Sequence, residues 1–413
     1  MRVLWLFSFL ISFQCFAQSN RVKSFTQKLC SPEFHGRGYV NGGDSIAAEF
    51  IAKTFQELGL KSVNKSYFQR FSFPVHTFPG AMSVTLNNRN LTPGIHFLVD
   101  PSCAKGNSTS DFQTLSLSDL YAGQIDFSKI SRSKVFLWKN VNYAGDTIKK
   151  ISQSLHKIAK FAPVVEVVNT KFTWSVSDEA YAFPFIQIQD SVFKDAKEIS
   201  YSIDAKTMQH QARNVMGFLP AKKKSKQTIV ITAHYDHLGR MGQATYFPGA
   251  NDNASGNAML LALAEKFKAS PLKKYNILFI AFAGEEAGLL GSRYMVKHPV
   301  IPLKSIRFLL NLDIMGSGEE GITVVNSTLF PKEFDRLTAL NEQSKFLTQI
   351  KKRGPAANSD HYFFTEAGVP ALYIYTMGPN KNYHDVFDTY EALSFQAFGP
   401  LSDLLEQFFR GME

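Results

Sequence analysis

The chain has 413 residues, and its 45 lysines and arginines exceed its 35 aspartates and glutamates, which gives a formal net charge of +10. Hydrophobic residues make up 45% and aromatic residues 13% of the sequence, so a large core can form and an intrinsically disordered chain is excluded. The 26 glycines and 17 prolines are too few for a collagen-like or low-complexity protein. At roughly 150 residues per domain, this length corresponds to two or three domains, or to one large domain with an insertion.

Residues 1–17 have the pattern of a cleaved signal peptide. Arg2 precedes an apolar run over residues 3–13, and the small residue Ala17 ends the segment. The run is too short for a membrane anchor, which needs about twenty apolar residues. A lipid anchor on Cys15 is disfavoured because Phe13 and Gln14 stand where small residues are expected. The sequence therefore predicts export, to the periplasm or the outside of the cell, without stable membrane insertion.

Removal of residues 1–17 leaves two cysteines, Cys30 and Cys103. In an exported chain such a pair forms either one disulfide or two separate buried thiols, and the sequence leaves both open. Four of the five residues 222–226 are lysines and precede a strong strand pattern, which indicates a solvated turn. Aromatic residues are not interleaved with these lysines, so we expect no nucleic-acid partner.

The first predicted element after the signal segment is an amphipathic helix at residues 44–58. Apolar residues recur on one face at helical spacing, with Asp44 able to cap the start of the helix and Gly59 its end. The apolar face consists of Ile46, Phe50, Ile51, Phe55 and Leu58.

Between residues 73 and 209, short β-like runs are separated by polar turns. The runs lie at 135–138, 164–168 and 183–188, and a helical stretch at 148–161 interrupts them.

From residue 214 onward, strands and helices alternate. The strands lie at 228–233, 276–282, 308–313 and 371–376, and the helices lie at about 255–267, after about 289 and at the C-terminus. This alternation predicts an α/β protein with a mostly parallel central sheet and helices on both faces. We expect residues 18–72 and 210–413 to form this core, and residues 73–209 to form a smaller β-rich inserted domain.

Residues of metal-binding types follow the strands of the predicted core. They are His234 to His237, the segment 249–256, Glu285 with Glu286, Asp313, and residues 383–385. Because ligands of such sheets sit beyond the carboxyl ends of the strands, we expect these residues to converge. Burial of two adjacent glutamates directly after a strand would cost free energy unless a cation balanced their charge, and the same holds for Asp313 after another strand. The sequence therefore predicts a metal cluster at this edge of the sheet.

The stretches that carry these residues are AHYDHLG, GANDNASG, AFAGEEAGLLGS, NLDIMG, SDHYFF and YHDVFD. They resemble metallopeptidase family 28, a family of zinc aminopeptidases, and the resemblance extends over residues 207–413. Residues 35–60 are similar to the family's N-terminal helix region, and the middle of the chain resembles the protease-associated insert of some members. The resemblance implies a zinc exopeptidase fold and peptide substrates with a free N-terminus.

The resemblance also assigns two Zn²⁺ ions to the chain, although manganese or cobalt also suits such donors. His234, Asp252 and Asp313 would bind the first ion. Asp252, Glu286 and His384 would bind the second, so that Asp252 bridges the two ions.

The resemblance further implies that Glu285 is the general base, acting on a metal-bridging water, and that Tyr383 holds the oxyanion of the tetrahedral intermediate. The peptide bond between Asp252 and Asn253 is implied to be cis.

Three aspartates are candidates for supporting the ligands. Asp236 lies two residues after His234 and could accept the second N–H of that imidazole, although a simple capping role stays open. Asp388, four residues after His384, could orient that ligand. Asp360 lies in the SDH stretch near the expected pocket.

Other functions of the same fold stay open. A glutaminyl cyclase would use one zinc and an expanded segment after the glutamate pair, whereas residues 285–292 are compact here. A carboxypeptidase for acidic C-termini would need a basic pocket, which the sequence does not identify. A catalytically inactive binding homologue is disfavoured because all five ligands and Glu285 are present.

Overall fold

The computed structural model describes residues 20–117, 120, 134–140 and 145–413, and the predicted signal peptide lies outside them. The described part of the chain contains two eight-stranded mixed sheets and a small two-stranded sheet of β12 (Arg240–Met241) and β13 (Thr245–Tyr246). The two large sheets contribute to separate hydrophobic cores. No described helix is both long enough and apolar enough to cross a bilayer.

The first sheet carries the predicted alternation of strands and helices. In spatial order it consists of β1 (Phe68–Thr77), β10 (Lys206–Leu219), β14 (Asn276–Phe282), β11 (Thr228–His234), β15 (Ile306–Leu312), β18 (Ala371–Thr376), β16 (Ile322–Val325) and β17 (Ile350–Lys352). Strands β14, β11, β15 and β18 at its centre are parallel to one another. Antiparallel pairs form between β1 and β10, between β10 and β14, and between β16 and β18, whereas β17 pairs parallel with β16. The predicted α/β class with a mostly parallel centre is confirmed.

Helices cover both faces of this sheet. The described helices are α1 (residues 20–29), α2 (Gly43–Glu57), α3 (Asp146–Ile158), α4 (Gly256–Ala269), α5 (Leu290–Lys297), α6 (Pro331–Ser344), α7 (His361–Glu366) and α8 (Phe398–Arg410), of which α3 packs on the second sheet instead. Alternate residues of the buried strands enter two different cores, because successive side chains of a strand point to opposite faces. Ile231 of β11 packs in the core that contains residues of α2, α4 and α8, whereas Val230 packs in the core with residues of α5 and α7.

Helix α2 has the predicted position, and most of its predicted apolar face packs on the core. Ile51 and Phe55 are buried and Phe50 and Leu58 are partly buried, whereas Ile46 is 40% exposed. Asp44 does not cap the helix. It is fully buried and its carboxylate lies 2.6 Å from Nε2 of His210 on strand β10.

The second sheet is the β-rich part predicted within residues 73–209. In spatial order it consists of β3 (Arg89–Asn90), β2 (Met82–Leu86), β9 (Glu198–Ile203), β5 (Gly106–Thr114), β6 (Val135–Asn140), β7 (Val164–Val168), β8 (Phe185–Gln189) and β4 (Phe97–Val99). We refer to it as the inserted sheet. The chain enters it after β1 and leaves it along β10, and these two strands pair over ten residues. The exact domain limits stay a prediction.

The two cysteines that the sequence left open are free and buried. Cys30 belongs to the core of the first sheet and Cys103 to the core of the inserted sheet. Burial raises the pKa of the Cys30 thiol to about 12, so this thiol is unreactive at neutral pH. The lysine-rich turn at 222–226 is solvated, as predicted.

Candidate metal centre

The C-terminal ends of the parallel strands bring the predicted ligands together. His234 is the last residue of β11, Glu285 and Glu286 follow β14, and Asp313 follows β15 directly. Asp252 comes from the turn between β11 and α4. His384 comes from the loop after β18. Parallel strands in register end at one edge of a sheet, so residues far apart in sequence meet there.

Asp252 lies between the two imidazoles. Its Oδ1 atom is 3.2 Å from Nε2 of His234, and its Oδ2 atom is 3.2 Å from Nε2 of His384. Nε2 of His234 also lies 3.4 Å from Oδ1 of Asp313, and Nε2 of His384 lies 3.1 Å from Oε2 of Glu286. The predicted bridging carboxylate therefore faces one imidazole with each of its oxygens. The peptide bond between Asp252 and Asn253 is cis, as the resemblance implied.

These separations match the donor spacing of a tetrahedral metal site. Two donors that each lie ~2.0–2.2 Å from one tetrahedral ion are roughly 3.3–3.6 Å apart. Oδ1 of Asp313 is buried and receives no hydrogen bond, which leaves a lone pair free for a cation. Potential donor atoms of His234, Glu285 and Asp313, and of His234, Asp252 and Glu286, also lie within 4.8 Å of one another. The chemistry and the spacing of these side chains thus fit metal ions.

The charged groups of this cluster shift one another's pKa values. Burial opposes protonation of His384, but the Glu286 and Asp252 carboxylates outweigh it and raise the pKa of His384 to about 11. Burial likewise opposes ionisation of Glu286, but His384 outweighs it and lowers the pKa of Glu286 to about 2. Burial raises the pKa of Glu285 well above its usual value, and His234 only partly offsets this. The cluster therefore has a strong affinity for positive charge, whereas Glu285 favours a proton.

Asp236 supports the site in a different way from the one predicted. Nδ1 of His234 lies 3.1 Å from the backbone carbonyl oxygen of Asp236 and 3.8 Å from its carboxylate, so the interpretation of the carboxylate as the partner of His234 is wrong. The Asp236 carboxylate instead accepts the backbone N–H groups of Glu285 at 3.2 Å and Glu286 at 3.3 Å. It also accepts the hydroxyl of Tyr39 at 2.6 Å. Asp236 thus fixes the backbone of the two glutamates.

Asp388 also has a different partner from the one predicted. Its carboxylate accepts the backbone N–H groups of Asn251 at 2.9 Å and Asp252 at 3.0 Å, so it holds the turn that carries Asp252. The hydrogen bond that orients His384 comes from elsewhere: its Nδ1 atom lies 2.8 Å from the carbonyl oxygen of Trp174, in the loop between β7 and β8. The interpretation that Asp388 orients His384 is wrong.

The SDH stretch contributes through its serine. The Ser359 hydroxyl donates to Oδ2 of Asp313 at 3.1 Å and accepts the Asn311 side-chain amide at 2.8 Å. Asp360 is fully buried, and burial raises its pKa to about 7. His361 is buried against the ring of Tyr373, which favours a structural role.

His237 was left uncertain by the sequence and lies at the metal centre. Its Nδ1 atom is 2.7 Å from Oε1 of Glu286, so this ring and His384 contact different oxygens of the same carboxylate. Its position three residues after His234 in the AHYDHLG stretch was the only available signal.

Arg37 is a site residue that the sequence did not identify. Its fully buried guanidinium donates to the backbone carbonyl groups of five residues, Leu29, Tyr235, Pro248, Gly249 and Asp252. Gly249 adopts a φ of +58°, and a Cβ there would lie 2.6 Å from the Arg37 guanidinium and 2.3 Å from the Asp252 carbonyl oxygen, so only glycine fits. Arg37 thus holds the turn at residues 248–252 through its backbone carbonyl groups. The HGRG stretch gave no sign of this, because its partners are backbone atoms.

An open cleft leads to the cluster. One part has a volume of about 330 Å³ and is lined by Glu285, Asp313 and Tyr383 together with Arg353 and Tyr375. A second part of about 250 Å³ adjoins it and shares Asp252 and Tyr383. The ring of Tyr383 stacks on His384 with centroids 3.9 Å apart, which places this residue at the cluster as predicted.

An α/β sheet that gathers two imidazoles and four carboxylates beside an open cleft defines a metal-dependent hydrolase. Residues 214–409 match the model of Peptidase family M28. The chain is 29% identical over 328 residues to the aminopeptidase YwaD of Bacillus subtilis (strain 168), covering 73% of this chain and 68% of the relative. It is 26% identical over 279 residues to a probable leucine aminopeptidase of Arthroderma otae, covering 64% of this chain and 76% of the relative.

Solved structures agree with this similarity. A zinc aminopeptidase from Bacillus subtilis matches with a TM-score of 0.70 at 22% identity, covering 95% of this chain and 94% of that chain. A peptidase M28 precursor from Shewanella amazonensis matches with a TM-score of 0.69 at 16% identity, covering 96% and 97% of the two chains. Residues 214–409 therefore have the sequence of a peptidase of family M28, and the protein is a hydrolase that acts on peptide bonds.

We expect Arg37→Met to reduce the free energy of unfolding of the metal-free protein by at least about 3 kcal/mol, because each buried carbonyl left without its donor costs ~1–3 kcal/mol. Urea denaturation followed by tryptophan fluorescence measures this loss. Arg293→Met is the control, since Arg293 is exposed and only lies over the ring of Phe363. A loss no larger than that of the control would contradict the role of Arg37.

Proposed function

We propose that this protein is an exported zinc aminopeptidase that holds two Zn²⁺ ions and removes residues from the free N-termini of peptides. The observation that carries the proposal is the position of Asp252, with one carboxylate oxygen 3.2 Å from each of two imidazole nitrogens. The names of the relatives support the aminopeptidase activity, and the pattern of residues 1–17 supports export.

The two ions would be bound as the resemblance implies. His234, Asp252 and Asp313 would hold the first, and Asp252, Glu286 and His384 the second. The three carboxylates contribute three negative charges and two Zn²⁺ four positive ones, so one further anion brings the cluster to neutrality, which a largely buried site requires. When bound, zinc ions lower the pKa of a water molecule and polarise a carbonyl group.

Glu285 would transfer the proton. Its side chain lines the cleft and is 12% exposed, and its Oε2 atom lies 4.0 Å from Nε2 of His234. As a carboxylate it would take a proton from the attacking water, and its raised pKa favours the protonated form that then delivers this proton to the leaving amine. Tyr383, which also lines the cleft, would donate its hydroxyl to the oxyanion. Burial raises the pKa of this hydroxyl, which keeps its proton available.

Carboxylates of the same cleft would bind the free ammonium group of the substrate. Glu285 and Asp313 face the larger part of the cleft, where a terminal ammonium can neutralise them. A blocked N-terminus lacks this charge, so the arrangement favours cleavage of the first residue.

Arg353 adds a positive charge to the wall of this acidic cleft. Its backbone N–H is bound by Ser327 and Val324, and its guanidinium donates to the Tyr375 hydroxyl at 3.1 Å. Among the described residues, no carboxylate forms an ion pair with it. An exposed guanidinium at the wall of a substrate cleft recognises a carboxylate. We therefore propose that substrates with an acidic first residue are preferred.

We expect the purified active protein to contain two zinc ions and to lose activity to chelators, as measured by elemental analysis and by assays with aminoacyl p-nitroanilides. Free aminoacyl substrates should be cleaved and their N-acetylated counterparts should not. One zinc per fully active chain, together with cyclisation of an N-terminal glutaminyl peptide, would indicate a glutaminyl cyclase instead. Equal turnover of acetylated substrates would exclude the aminopeptidase.

Glu285→Gln should lower kcat by about 10²- to 10⁴-fold while both zinc ions stay bound, because the amide keeps the shape but cannot take a proton. Glu286→Gln should weaken one zinc ion, since this carboxylate lies 3.1 Å from His384. Metal analysis and steady-state kinetics of the two variants separate these roles. Loss of zinc from the Glu285 variant, with both ions retained in an inactive Glu286 variant, would reverse the assignment.

Glutamyl p-nitroanilide should have a kcat/KM about tenfold above that of the glutaminyl p-nitroanilide, since a charge-assisted hydrogen bond contributes ~1.5–3 kcal/mol and solvent screens part of it. Arg353→Gln should abolish this ratio. Lys352→Gln should keep it, because Lys352 is the exposed neighbour of Arg353 at the end of β17 and does not line the cleft. If wild type shows no such ratio, or the Lys352 variant loses it too, Arg353 does not select the substrate.

A further inference from the structure

His384 depends on the inserted sheet for its orientation, whereas His234 does not. The Nδ1 atom of His234 is 3.1 Å from the carbonyl oxygen of Asp236, a residue of the same strand end. The Nδ1 atom of His384 is 2.8 Å from the carbonyl oxygen of Trp174, which lies 210 residues away in the chain. The backbone N–H of Trp174 donates in return to the carbonyl oxygen of His384 at 2.9 Å. Two reciprocal hydrogen bonds thus join His384 to the loop between β7 and β8.

Trp174 is itself held firmly in the inserted sheet. Its indole Nε1 donates to the carbonyl oxygen of Val99 in strand β4 at 2.8 Å. Its ring is 5% exposed and stacks on Phe247 with centroids 4.7 Å apart and planes 18° apart. Phe247 belongs to the turn that leads to Asp252, and it packs in the core of the inserted sheet. The Trp174 carbonyl therefore has a fixed position relative to the metal centre.

A second contact lies beside the first. The ammonium group of Lys171 forms an ion pair with the buried carboxylate of Asp385 and donates to the carbonyl oxygen of Lys381. Residues 171–174, which we name the clasp, therefore contact both sides of His384. The backbone of His384 has a φ of +54°, in the left-handed region that non-glycine residues adopt only when their surroundings hold them.

We propose that the clasp makes the inserted sheet a part of the metal centre, with Trp174 as the positioning residue for His384. The inference rests on the proposed role of His384 as a ligand of the second zinc ion. A hydrogen bond from Nδ1–H to a carbonyl fixes the tautomer of an imidazole and leaves Nε2 free to bind metal. The core alone orients His234, so the inserted sheet acts on one ion and not on the other.

This asymmetry separates positioning from a general loss of stability. Loss of a residue that orients a ligand typically weakens metal binding by about 10- to 100-fold. Disruption of the clasp should weaken the second zinc ion by this factor and leave the affinity of the first within about twofold, because no bond of the clasp reaches His234 in the described structure. A variant that merely destabilised the fold would affect both ions.

The experiment measures zinc dissociation constants of the full-length mature protein by competition with a chromophoric chelator, without substrate. Trp174→Ala removes the ring that anchors the carbonyl, and Trp174→Phe keeps the stacking on Phe247 but removes the indole N–H. We expect a 10- to 100-fold weakening of the second ion in the alanine variant and a smaller one in the phenylalanine variant. The visible spectrum of the cobalt-substituted protein should change in the band of the second site only.

Trp138→Ala is the matched control. Trp138 is also 5% exposed and lies in strand β6 of the same sheet, but it packs in a different hydrophobic cluster, against α3. This variant should bind both ions as wild type does. Unchanged zinc binding in Trp174→Ala, or equal weakening of both ions, overturns the proposal.

Two further variants keep the test decisive. If Trp174→Ala does not fold, Lys171→Met replaces it, because Lys171 is exposed. Loss of this ion pair should weaken binding of the second zinc ion about threefold. Unchanged zinc binding in this variant overturns the proposal. His384→Ala tests the ligand role itself. If His384→Ala retains both ions, His384 is not a zinc ligand. If His384→Ala loses one ion but the clasp variants bind both ions normally, His384 is a ligand and the positioning role of the clasp is refuted.

Discussion

The constraint on which the rest of this structure depends is the concentration of negative charge at one edge of a buried sheet. Asp252, Glu285, Glu286 and Asp313 bring four carboxylates to the ends of parallel strands, and the imidazoles of His234, His237 and His384 lie among them. Removing such a group of charges from water is costly unless cations balance it. The fold supplies the low-dielectric environment, and the proposed zinc ions supply the balance.

The protein holds this cluster mainly through backbone atoms. Asp236 and Asp388 accept backbone N–H groups of the segments that carry the glutamates and Asp252, and Arg37 donates to five carbonyl groups around the same turn. Hydrogen bonds to backbone fix where a segment lies and leave the side chains of the ligands free for the metal. Ser359 acts on a ligand side chain instead, since it donates to Asp313, and His237 likewise contacts the carboxylate of Glu286.

The inserted sheet has a place in this scheme. Its own core includes residues of the peptidase core, such as Leu238 and Phe247, so the two parts share a continuous hydrophobic contact next to the turn of Asp252. The hydrogen bonds between Trp174 and His384 continue this contact to the metal centre. An insertion that packs against the loops of a site can in this way become part of the site. Its role then lies in geometry, because it contributes a backbone carbonyl and no ligand.

The sequence by itself determined the α/β core, the order of its central strands along the chain and the residues that meet at their ends. Both signals can be read from a short stretch of sequence: the period of the hydrophobic residues identifies each strand, and the carboxylate or imidazole follows within the same stretch. The antiparallel strands β16 and β1 and the helices α6 and α7 were not distinguished from loops, because their patterns are short or mixed. Within the predicted apolar face of α2, only Ile46 is exposed, while the small residues Ala47 and Ala48 are buried.

Only the tertiary structure decided which groups orient the ligands. Sequence proximity suggested that Asp236 would bind His234 and Asp388 would bind His384, but a carbonyl of the chain takes each of these N–H groups. Every residue has a backbone carbonyl group, so no residue type in the sequence indicates which carbonyl accepts the N–H of a ligand imidazole. Arg37 and Trp174 escaped notice for the same physical reason: their partners are backbone atoms up to 215 residues away, and pairing over such distances is set by how the chain folds.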